Sequence, residues 1–444
     1  MSGLIAGLTV AKFGGTSVAT AAQLLKVKAI VLSDPARRVV VPSAPGKAHA
    51  KDTKVTDLLY LCHQLATQGQ SIATVWGQIE ERFLSIVRDL GLALDLRPTL
   101  AVARTKIEGG ASADYAASRG EAIHGVVVAA LLGADYVDAY EVIFFDRSGR
   151  LDPKTYSALK ARCNDGKVHV IPGFYGQSAT GEVKTFSRGG SDVTGAVVAN
   201  GLDAALYENW TDVSGVLMTD PRIVAEAKPI GEITYRELRE LSYMGASVLH
   251  EEAVFPVREK GIPINIRNTN RPDDAGTMIC ANRDPGHQVV VGIAGTKGFT
   301  VFTAEKAMMN NEVGFGRRLL DVFERLGISV EHMPTGIDTM SVVVADRQLT
   351  NVDGTSKIEQ LMEDMQGSLK PDSLKANPGM ALIATVGLGM NHAIGTAARL
   401  FTALAKARVN VRLIDQGSSE QNIIVGVEEG DLATTIRVIY NEFA

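Results

Sequence analysis

The stretch LTVAKFGGTSV, residues 8–18, joins a short apolar run to a pair of glycines and two hydroxyl residues. The apolar run predicts a β-strand, and the amphipathic stretch at residues 20–32 predicts a helix. The same succession recurs at RRVVVPSAPG, residues 37–46, which leads after a polar insert into TDLLYLCHQLAT, residues 56–67. Alternating strands and helices are typical of an α/β domain around a largely parallel sheet. We therefore expect such a domain over residues 1–285.

The overall composition describes a globular protein and argues against several functional classes. The 444 residues, 45% of them hydrophobic, are enough for two or three domains. The 45 basic and 50 acidic residues are mixed along the chain, which argues against a nucleic-acid or membrane-surface binder. Cys62, Cys163 and Cys280 lie far apart and outside any CxxC motif, so we expect buried thiols and no zinc site. These features indicate a cytoplasmic protein whose side chains build no metal centre.

The C-terminal part of the chain contains an internal repeat with a constant offset of 81 residues. Gly314 matches Gly395, and the apolar positions that follow keep the same offset. In both copies an apolar run precedes a helical pattern, and further apolar runs follow it. A helix on a few antiparallel strands, present twice, predicts two small α+β modules at residues 290–375 and 376–444, whose elements can interleave.

Polar, glycine-rich loops follow the predicted strands. Lys12 precedes Gly14 and Gly15 at the end of the first strand, where backbone N–H groups and a helix N-terminus suit an anion. A Walker A loop carries its lysine after the glycines, so this loop is of another kind. Arg188 and Asp192 flank a second glycine pair and suit a ligand that carries both a carboxylate and an ammonium group. Each loop taken singly favours an ordinary turn over a functional site.

The ordered set of motifs is far more specific than any one of them. KFGGTSV (12–18), FSRGGSD (186–192), WTDVSGVLMTDPR (210–222) and MGASVLH (244–250) together resemble the aspartate kinases of the amino-acid kinase superfamily. The C-terminal repeat resembles the tandem, ferredoxin-like ACT modules of that family, so the resemblance covers essentially the whole chain. It implies ATP-dependent phosphorylation of the β-carboxylate of L-aspartate to 4-phospho-L-aspartate. In the family this reaction is the first step toward lysine, threonine and methionine.

The resemblance also implies an aspartate site. Arg188 would clamp the α-carboxylate with its planar fork, and Asp192 with Glu121 would receive the α-ammonium or orient a lysine. The glycines of the motif would keep side chains away from the substrate. Pro42 stands near the serine of shorter relatives, and the insert KAHAKDTK precedes Thr56, so the sequence departs from the family there. The implied catalytic residues are Lys12, Arg188 and Asp192, and the implied aspartate contacts are Ser43, Thr56, Glu121, Arg188 and Asp192.

A nucleotide site follows from the same resemblance. The attacking β-carboxylate is already ionised, so catalysis would depend on positioning and on charge neutralisation by Lys12 and Mg²⁺. The Mg²⁺ would be held mainly by phosphate oxygens and water. Many relatives carry a lysine inside the MGAxVLH motif where this chain has Ser247, so that contact is lost or supplied by another residue. The implied nucleotide-binding residues are Lys12, Gly14, Gly15, Thr211, Asp212, Leu217, Arg222 and Ser247.

Paired ACT modules of this family bind an end-product amino acid between subunits, which implies feedback inhibition and at least a homodimer. The two copies of the repeat differ in charge at one equivalent position, Glu331 against Arg412, so we do not expect both to bind the same ligand. A carboxylate can pair with the side-chain ammonium of lysine, which favours lysine over threonine as the effector. The expected effector residues are Met309, Gly314, Phe315, Ser329 and Glu331.

Two other functions remain open on the sequence alone. One is a kinase of the same superfamily for another small acid, such as glutamate or acetylglutamate. The other is an amino-acid sensor whose kinase fold has lost activity, although the joint presence of Lys12, Glu121, Arg188 and Asp192 argues against such decay. Because the chain ends at Ala444, we expect no fused homoserine dehydrogenase domain.

Overall fold

The residues that the structure describes form two compact units. The computed structural model describes residues 7–187, 189–246, 249, 251–286, 288–417 and 419–444. The first unit falls within Met1–Val216, Pro229–Tyr235 and Ser247–Arg283, and the second falls within Leu217–Lys228, Arg236–Ala246 and Asp284–Ala444. Two segments inside the range expected for the kinase domain therefore belong with the C-terminal unit. The domain boundaries drawn from the sequence stay a prediction.

The first unit is built on a mainly parallel sheet of eight strands. They are β1 (Thr9–Phe13), β2 (Arg37–Pro42), β3 (Asp135–Tyr136), β4 (His169–Val170), β7 (Leu206–Thr211), β8 (Glu232–Thr234), β9 (Ile264–Asn268) and β10 (Thr277–Cys280), with β5 (Tyr175–Gln177) and β6 (Val183–Thr185) forming a separate hairpin. The spatial order is β3-β4-β2-β1-β7-β9-β10-β8, and only the β9–β10 pair is antiparallel. This architecture confirms the predicted α/β domain.

Helices cover this sheet and bury its apolar residues. They are α1 (Ala21–Leu32), α2 (Val55–Thr67), α3 (Ala73–Asp89), α4 (Arg97–Glu108), α5 (Ala113–Leu132), α6 (Ala139–Val142), α7 (Lys154–Cys163), α8 (Gly190–Gly201) and α10 (Glu251–Glu259). Phe13 at the end of β1 stacks on Trp210 in a core that also contains Phe83 and Ile123. In the described ranges, no helix is both long enough and apolar enough to cross a membrane.

The cysteines of this unit are free thiols. Cys62 and Cys163 are buried, as expected, whereas Cys280 is half-buried at the end of β10. Burial raises the pKa of the Cys62 and Cys163 thiols to about 11, so both are protonated and unreactive near neutral pH.

The second unit is a single antiparallel sheet that both copies of the repeat share. Its strands are β11 (Gly292–Glu305), β12 (Thr339–Ala345), β13 (Ser373–Val386), β14 (Leu413–Asp415) and β15 (Asn422–Glu428), in the spatial order β12-β11-β13-β15-β14. Its helices are α9 (Tyr235–Tyr243, from Arg236 onward), α11 (Phe315–Arg325), α12 (Ile358–Leu369), α13 (Thr396–Lys406) and α14 (Leu432–Phe443). The first strands of the two copies, β11 and β13, pair along almost their whole length.

The repeat found in the sequence is also a repeat in space. Helices α11 and α13 differ by 81 residues at both ends, and each begins after a glycine with positive φ, Gly314 at 80° and Gly395 at 87°. Each helix also follows a short 3-10 turn, Met309–Asn311 in one copy and Leu388–Asn391 in the other. The predicted α+β modules are therefore confirmed as a fold class.

The segments 217–228 and 236–246 are bonded into this second unit. The Ile293 N–H donates to the Met218 carbonyl (2.6 Å), and the Lys228 N–H donates to the Tyr440 hydroxyl (3.0 Å). The buried Glu237 carboxylate of α9 accepts the Leu388 N–H (2.7 Å) at the start of the second copy's 3-10 turn. The C-terminal sheet thus packs around two pieces of chain that precede it by many residues.

Candidate active site

Lys12 and Asp192 form an ion pair in the first unit, which agrees with one of the two roles that the family resemblance implies for Asp192. The Lys12 ammonium lies against Asp192 Oδ1 and also donates to Asn209 Oδ1 at 3.4 Å. The Asn209 amide donates in turn to Asp192 Oδ1 at 2.8 Å. Lys12 is buried, whereas about a fifth (21%) of the Asp192 side chain is exposed. The three groups form a small polar cluster in which one ammonium is balanced by one carboxylate.

Parallel strand pairing explains why these groups meet. Lys12 of β1 lies beside Asn209 of β7, and Phe13 lies beside Trp210, so both strands end at the same edge of the sheet. Asp192 comes from the first turn of α8, which begins after Gly189 at a φ of 56°. Ligands of open parallel sheets bind at this carboxyl edge, where helix N-termini also point.

The glycines beside Arg188 have a packing role that the sequence does not predict. A Cβ on Gly190 would lie 2.2 Å from the Phe174 ring, and Gly189 adopts a left-handed conformation. These two glycines therefore permit a turn and a close ring contact, and their role in keeping side chains away from the substrate stays a prediction. Arg188 itself lies outside the described residues, as does Ser247.

The glycine corner after β1 is held by backbone bonds. The Gly14 N–H donates to the Trp210 carbonyl (2.9 Å), so it would have to leave this acceptor to assist a phosphate. Gly15 begins the 3-10 turn Gly15–Val18, whose first N–H groups have no acceptor within the turn itself. Gly46 crosses Gly15 so closely that a Cβ on Gly46 would lie 2.6 Å from the Gly15 carbonyl carbon. Gly46 is thus needed for the loop geometry, although no sequence motif marks it.

The predicted aspartate contacts Ser43 and Glu121 lie close to one another. The Ser43 N–H donates to the Phe13 carbonyl (3.0 Å), and the Ser43 carbonyl contacts Nδ1 of His124 (2.8 Å). Glu121 on the same helix as His124 receives a hydrogen bond from the Ala44 backbone. Thr56 lies half-buried in the first turn of α2, next to Val55, which packs near Gly120. The insert before Thr56 is pinned by an ion pair between Asp52 and Arg82 of α3.

Glu121 is a buried carboxyl with an unusual pKa. Burial raises this pKa to about 8, against the smaller lowering effects of the Ala44 backbone and of Arg119. Among the described residues, Glu121 Oε2 has no hydrogen-bond partner. A buried carboxyl with one oxygen that accepts no hydrogen bond is suited to receive a cationic donor, and such a donor would favour the ionised form of the carboxyl.

The predicted nucleotide residues divide between the two units. Thr211 is the last residue of β7 in the first unit, and Asp212 follows it. The Thr211 carbonyl accepts the Thr269 N–H (2.9 Å), and the Asp212 carbonyl accepts a hydrogen bond from the Asn268 side-chain amide (3.3 Å). Leu217 and Arg222 fall in the second unit, and the exposed Arg222 is paired with Asp220 (2.6 Å). Arg222 would have to leave Asp220 to reach a phosphate.

The predicted effector residues lie in the first copy of the repeat. Met309 and Phe315 are core residues of the second unit, so only their backbone groups are available to a ligand. Ser329 is exposed, and its backbone N–H and carbonyl are both bonded to the Gln348 amide (2.7 and 3.1 Å). The Glu331 side chain is only 6% exposed, and its ion partner Arg347 lies 3.6 Å away and is 75% exposed. Glu331 is therefore a half-buried residue whose side chain is largely shielded from solvent.

The second copy offers a different surface at the equivalent position. Arg412 is partly exposed and pairs with Glu428 on the neighbouring strand β15. The Leu388 N–H, which corresponds to the Ala307 N–H in the first copy, is capped by Glu237, whereas the Ala307 N–H is capped by Asp372 (2.7 Å). The two copies share a fold but differ in the charge at this position and in the group that accepts this N–H.

Comparison with known proteins identifies the family. A family profile for the Amino acid kinase family matches residues 7–268, and one for the ACT domain matches residues 383–443. Aspartokinase 3 of Bacillus subtilis (strain 168) is 41% identical over 455 residues, which is 98% of this chain and 98% of that protein. The chain belongs to the aspartokinase family. It is therefore a kinase, and the alternatives of another small-acid kinase or a catalytically silent sensor are set aside.

Solved aspartokinases agree with this assignment. The aspartate kinase of Clostridium acetobutylicum superposes with a TM-score of 0.92 at 50% identity, covering 98% of this chain and 100% of that one. Aspartokinase III of E. coli, solved with aspartate and ADP, superposes with a TM-score of 0.72 at 25% identity. The match covers 98% of this chain and 99% of the E. coli chain. The same E. coli enzyme with lysine and aspartate gives 0.70 at 26% identity over the same shares. The aspartokinase fold therefore extends over both units.

Proposed function

We propose that the chain transfers the γ-phosphoryl group of ATP to the β-carboxylate of L-aspartate. The observation that carries this proposal is the meeting of Lys12, Asp192 and Asn209 at the carboxyl edge of the sheet, in an aspartokinase. The E. coli relative solved with aspartate and ADP supports both ligands. The products are 4-phospho-L-aspartate and ADP, and the reaction leads toward lysine, threonine and methionine.

The reaction needs charge neutralisation more than proton transfer. A carboxylate oxygen attacks the γ-phosphorus, a new P–O bond forms, and the bond to the β–γ bridging oxygen breaks. Since the attacking group is already anionic, no general base is required. Lys12 is buried near Asp192 and supplies a fixed positive charge to the phosphoryl oxygens, where a low-dielectric setting strengthens its effect. Asp192 and Asn209 keep the ammonium in place.

Glu121 and Arg188 would hold the two charged groups on the α-carbon of the substrate. The partnerless Oε2 of Glu121 receives the α-ammonium, and Arg188 takes the α-carboxylate. Ser43 and Thr56 add polar contacts at the ends of β2 and α2. On the nucleotide side, Gly15, Thr211 and Asp212 line the same edge of the sheet.

Mg²⁺ would arrive with the nucleotide. No group of three or more His, Cys, Asp or Glu side chains within the described ranges is arranged to hold a metal ion. The ion would neutralise phosphate charge while bound through phosphate oxygens and water. We therefore assign no residue of the chain to it.

The proposed activity can be tested by trapping the acyl phosphate. Hydroxylamine should convert the product to a hydroxamate, detected as its coloured ferric complex, when ATP, Mg²⁺ and L-aspartate are all present. Replacing L-aspartate with L-glutamate provides the control for acceptor specificity. Hydroxamate formation with glutamate at the same rate, or none with aspartate, would refute the proposed reaction.

We further propose lysine as the feedback effector, bound at the first copy of the repeat. Among the described residues, the shielded Glu331 side chain has the exposed Arg347 as its ion partner, and such an exposed partner contributes little. The side-chain ammonium of lysine could replace Arg347 and gain a desolvated ion pair, which threonine cannot offer. The E. coli relatives named as lysine-sensitive or solved with lysine support this choice.

Glu331→Gln should weaken lysine inhibition by about tenfold or more, since it removes the charge that pairs with the effector ammonium. The measurement is a lysine titration at fixed aspartate. Arg412→Gln, at the equivalent position of the second copy, is the matched control and should leave the titration unchanged. Full lysine sensitivity in Glu331→Gln would exclude this residue, and a response to threonine alone would exclude lysine.

The proposed inhibition should be reciprocal, so that lysine and aspartate weaken each other's binding.

We also propose the kinase region at residues 1–285, the modules at 290–375 and 376–444, a homodimer or larger homo-oligomer, and a cytoplasmic location. These proposals rest on the family resemblance.

A further inference from the structure

Two buried side chains of α5 hold the same peptide bond from opposite ends. His124 Nδ1 lies 2.8 Å from the Ser43 carbonyl oxygen, and the carboxyl of Glu121 receives a hydrogen bond from the Ala44 backbone. His124 and Glu121 are three residues apart and therefore on the same face of the helix. Both are buried, at 0% and 5% exposure. The Ser43–Ala44 peptide is thus fixed at its C=O and at its N–H.

The helix approaches this peptide unusually closely. A Cβ on Gly120 would lie 2.9 Å from the Ala44 Cβ and 3.3 Å from Leu59 Cδ1, so the contact requires glycine. The clamped loop is also tied to the end of β1, because the Ser43 N–H donates to the Phe13 carbonyl, one residue after Lys12. A change in the clamp would therefore move Ser43 relative to both Glu121 and the strand that carries Lys12.

The clamp fixes the state of the imidazole. A carbonyl oxygen only accepts hydrogen bonds, so Nδ1 of His124 must carry a proton. Burial lowers the pKa of His124 to about 4, so the ring is neutral near pH 7 and Nε2 is unprotonated. Within the described part of the chain, Nε2 has no partner, and the ring packs against Phe83 at 6.2 Å. A neutral donor is suited to this position, because a cation would compete with the substrate ammonium for Glu121.

We propose that His124 is a positioning residue of the aspartate site, whose Nδ1–H holds the Ser43–Ala44 peptide so that Ser43 and Glu121 keep the spacing that aspartate requires. The proposal deepens the proposed function and rests on it. His124 touches neither reacting atom, so its loss should affect binding of the acceptor more than that of the nucleotide.

A matched pair of amide substitutions tests the role. The amide nitrogen of asparagine can occupy the place of Nδ1, whereas that of glutamine extends toward Nε2. His124→Gln should raise KM for aspartate about tenfold and change KM for ATP less than about twofold. His124→Asn should stay within about threefold of the wild type in both constants. Equal kinetics for His124→Gln and the wild type, or equal rises in both KM values, would overturn the proposal.

A second measurement is made on the wild-type enzyme itself. ¹⁵N NMR of histidine-labelled wild-type enzyme reports which ring nitrogen carries the proton. A Nδ1-protonated, neutral imidazole at pH 7 is expected for His124, with its resonance assigned by loss in either variant that folds or by through-space contact with Phe83. A Nε2-protonated ring would overturn the proposal. Because this readout needs no substrate, it separates failure of the clamp from failure of the aspartate assay.

Discussion

Lys12→Met should lower kcat at least about a hundredfold, equivalent to about 2.7 kcal/mol of lost transition-state stabilisation. Lys12 is buried at the strand end with Asp192 as its partner, so its charge acts in a weakly screened setting. Removing it leaves the developing phosphoryl charge unbalanced and also leaves the Asp192 carboxylate without its cation. Steady-state kinetics with saturating ATP and aspartate would measure the loss.

Lys26→Met provides the comparison for this experiment. Lys26 lies exposed on α1, where its ammonium bonds to Asn270 (2.8 Å), and its loss should leave kcat within about twofold. A Lys12→Met enzyme that keeps near wild-type kcat would remove Lys12 from the mechanism. A rise in KM for ATP at unchanged kcat would assign it to ground-state binding instead.

Aspartate binding should tighten as the pH rises toward 8. With its pKa raised to about 8 by burial, Glu121 is largely protonated in the empty site at pH 7. Binding the substrate ammonium favours the carboxylate and so releases a proton, and affinity therefore increases with pH until Glu121 is ionised in the free enzyme. The steepest dependence that one proton allows is about tenfold per pH unit, and it should level off above about pH 8.

Calorimetry can count this proton directly. Aspartate is titrated at about pH 7 in two buffers of different ionisation enthalpy. The difference between the two observed binding enthalpies should correspond to nearly one released proton. Glu121→Gln should abolish both the proton release and the pH dependence, and should raise KM for aspartate by about a hundredfold through loss of a buried charge partner. The matched surface control is Glu359→Gln, on the exposed first turn of α12. Proton release that persists in Glu121→Gln would assign the titration to another group.

Local sequence patterns predicted the fold and the main polar residues well. The pattern at residues 8–32 predicts β1, its glycine corner and α1, because strand and helix periods are visible within one window. The family resemblance implies that Asp192 either receives the substrate ammonium or orients Lys12, and the structure pairs it with Lys12.

Residues whose role depends on distant packing could not be predicted in this way. Asn209 joins the cluster only because β7 pairs with β1 in register, and Gly46 matters only because two loops cross. His124 lies within an ordinary apolar helix pattern, and nothing in that pattern marks its bond to Ser43. The sequence motif indicates only that Gly190 leaves space for a ligand, and its close contact with the Phe174 ring is visible only in the structure.

The seating of residues 217–228 and 236–246 in the second unit has a consequence for genetic engineering. A gene fragment that starts at residue 284 would encode a sheet without the Met218 carbonyl that accepts from Ile293 and without the Lys228 N–H that reaches Tyr440. A gene cut before residue 284 would leave Leu241 facing water where Gly292 now covers it. Neither gene fragment would encode all the segments of the second unit. Variants without the proposed lysine inhibition are therefore better sought by single codon changes in the first repeat than by excising the C-terminal region.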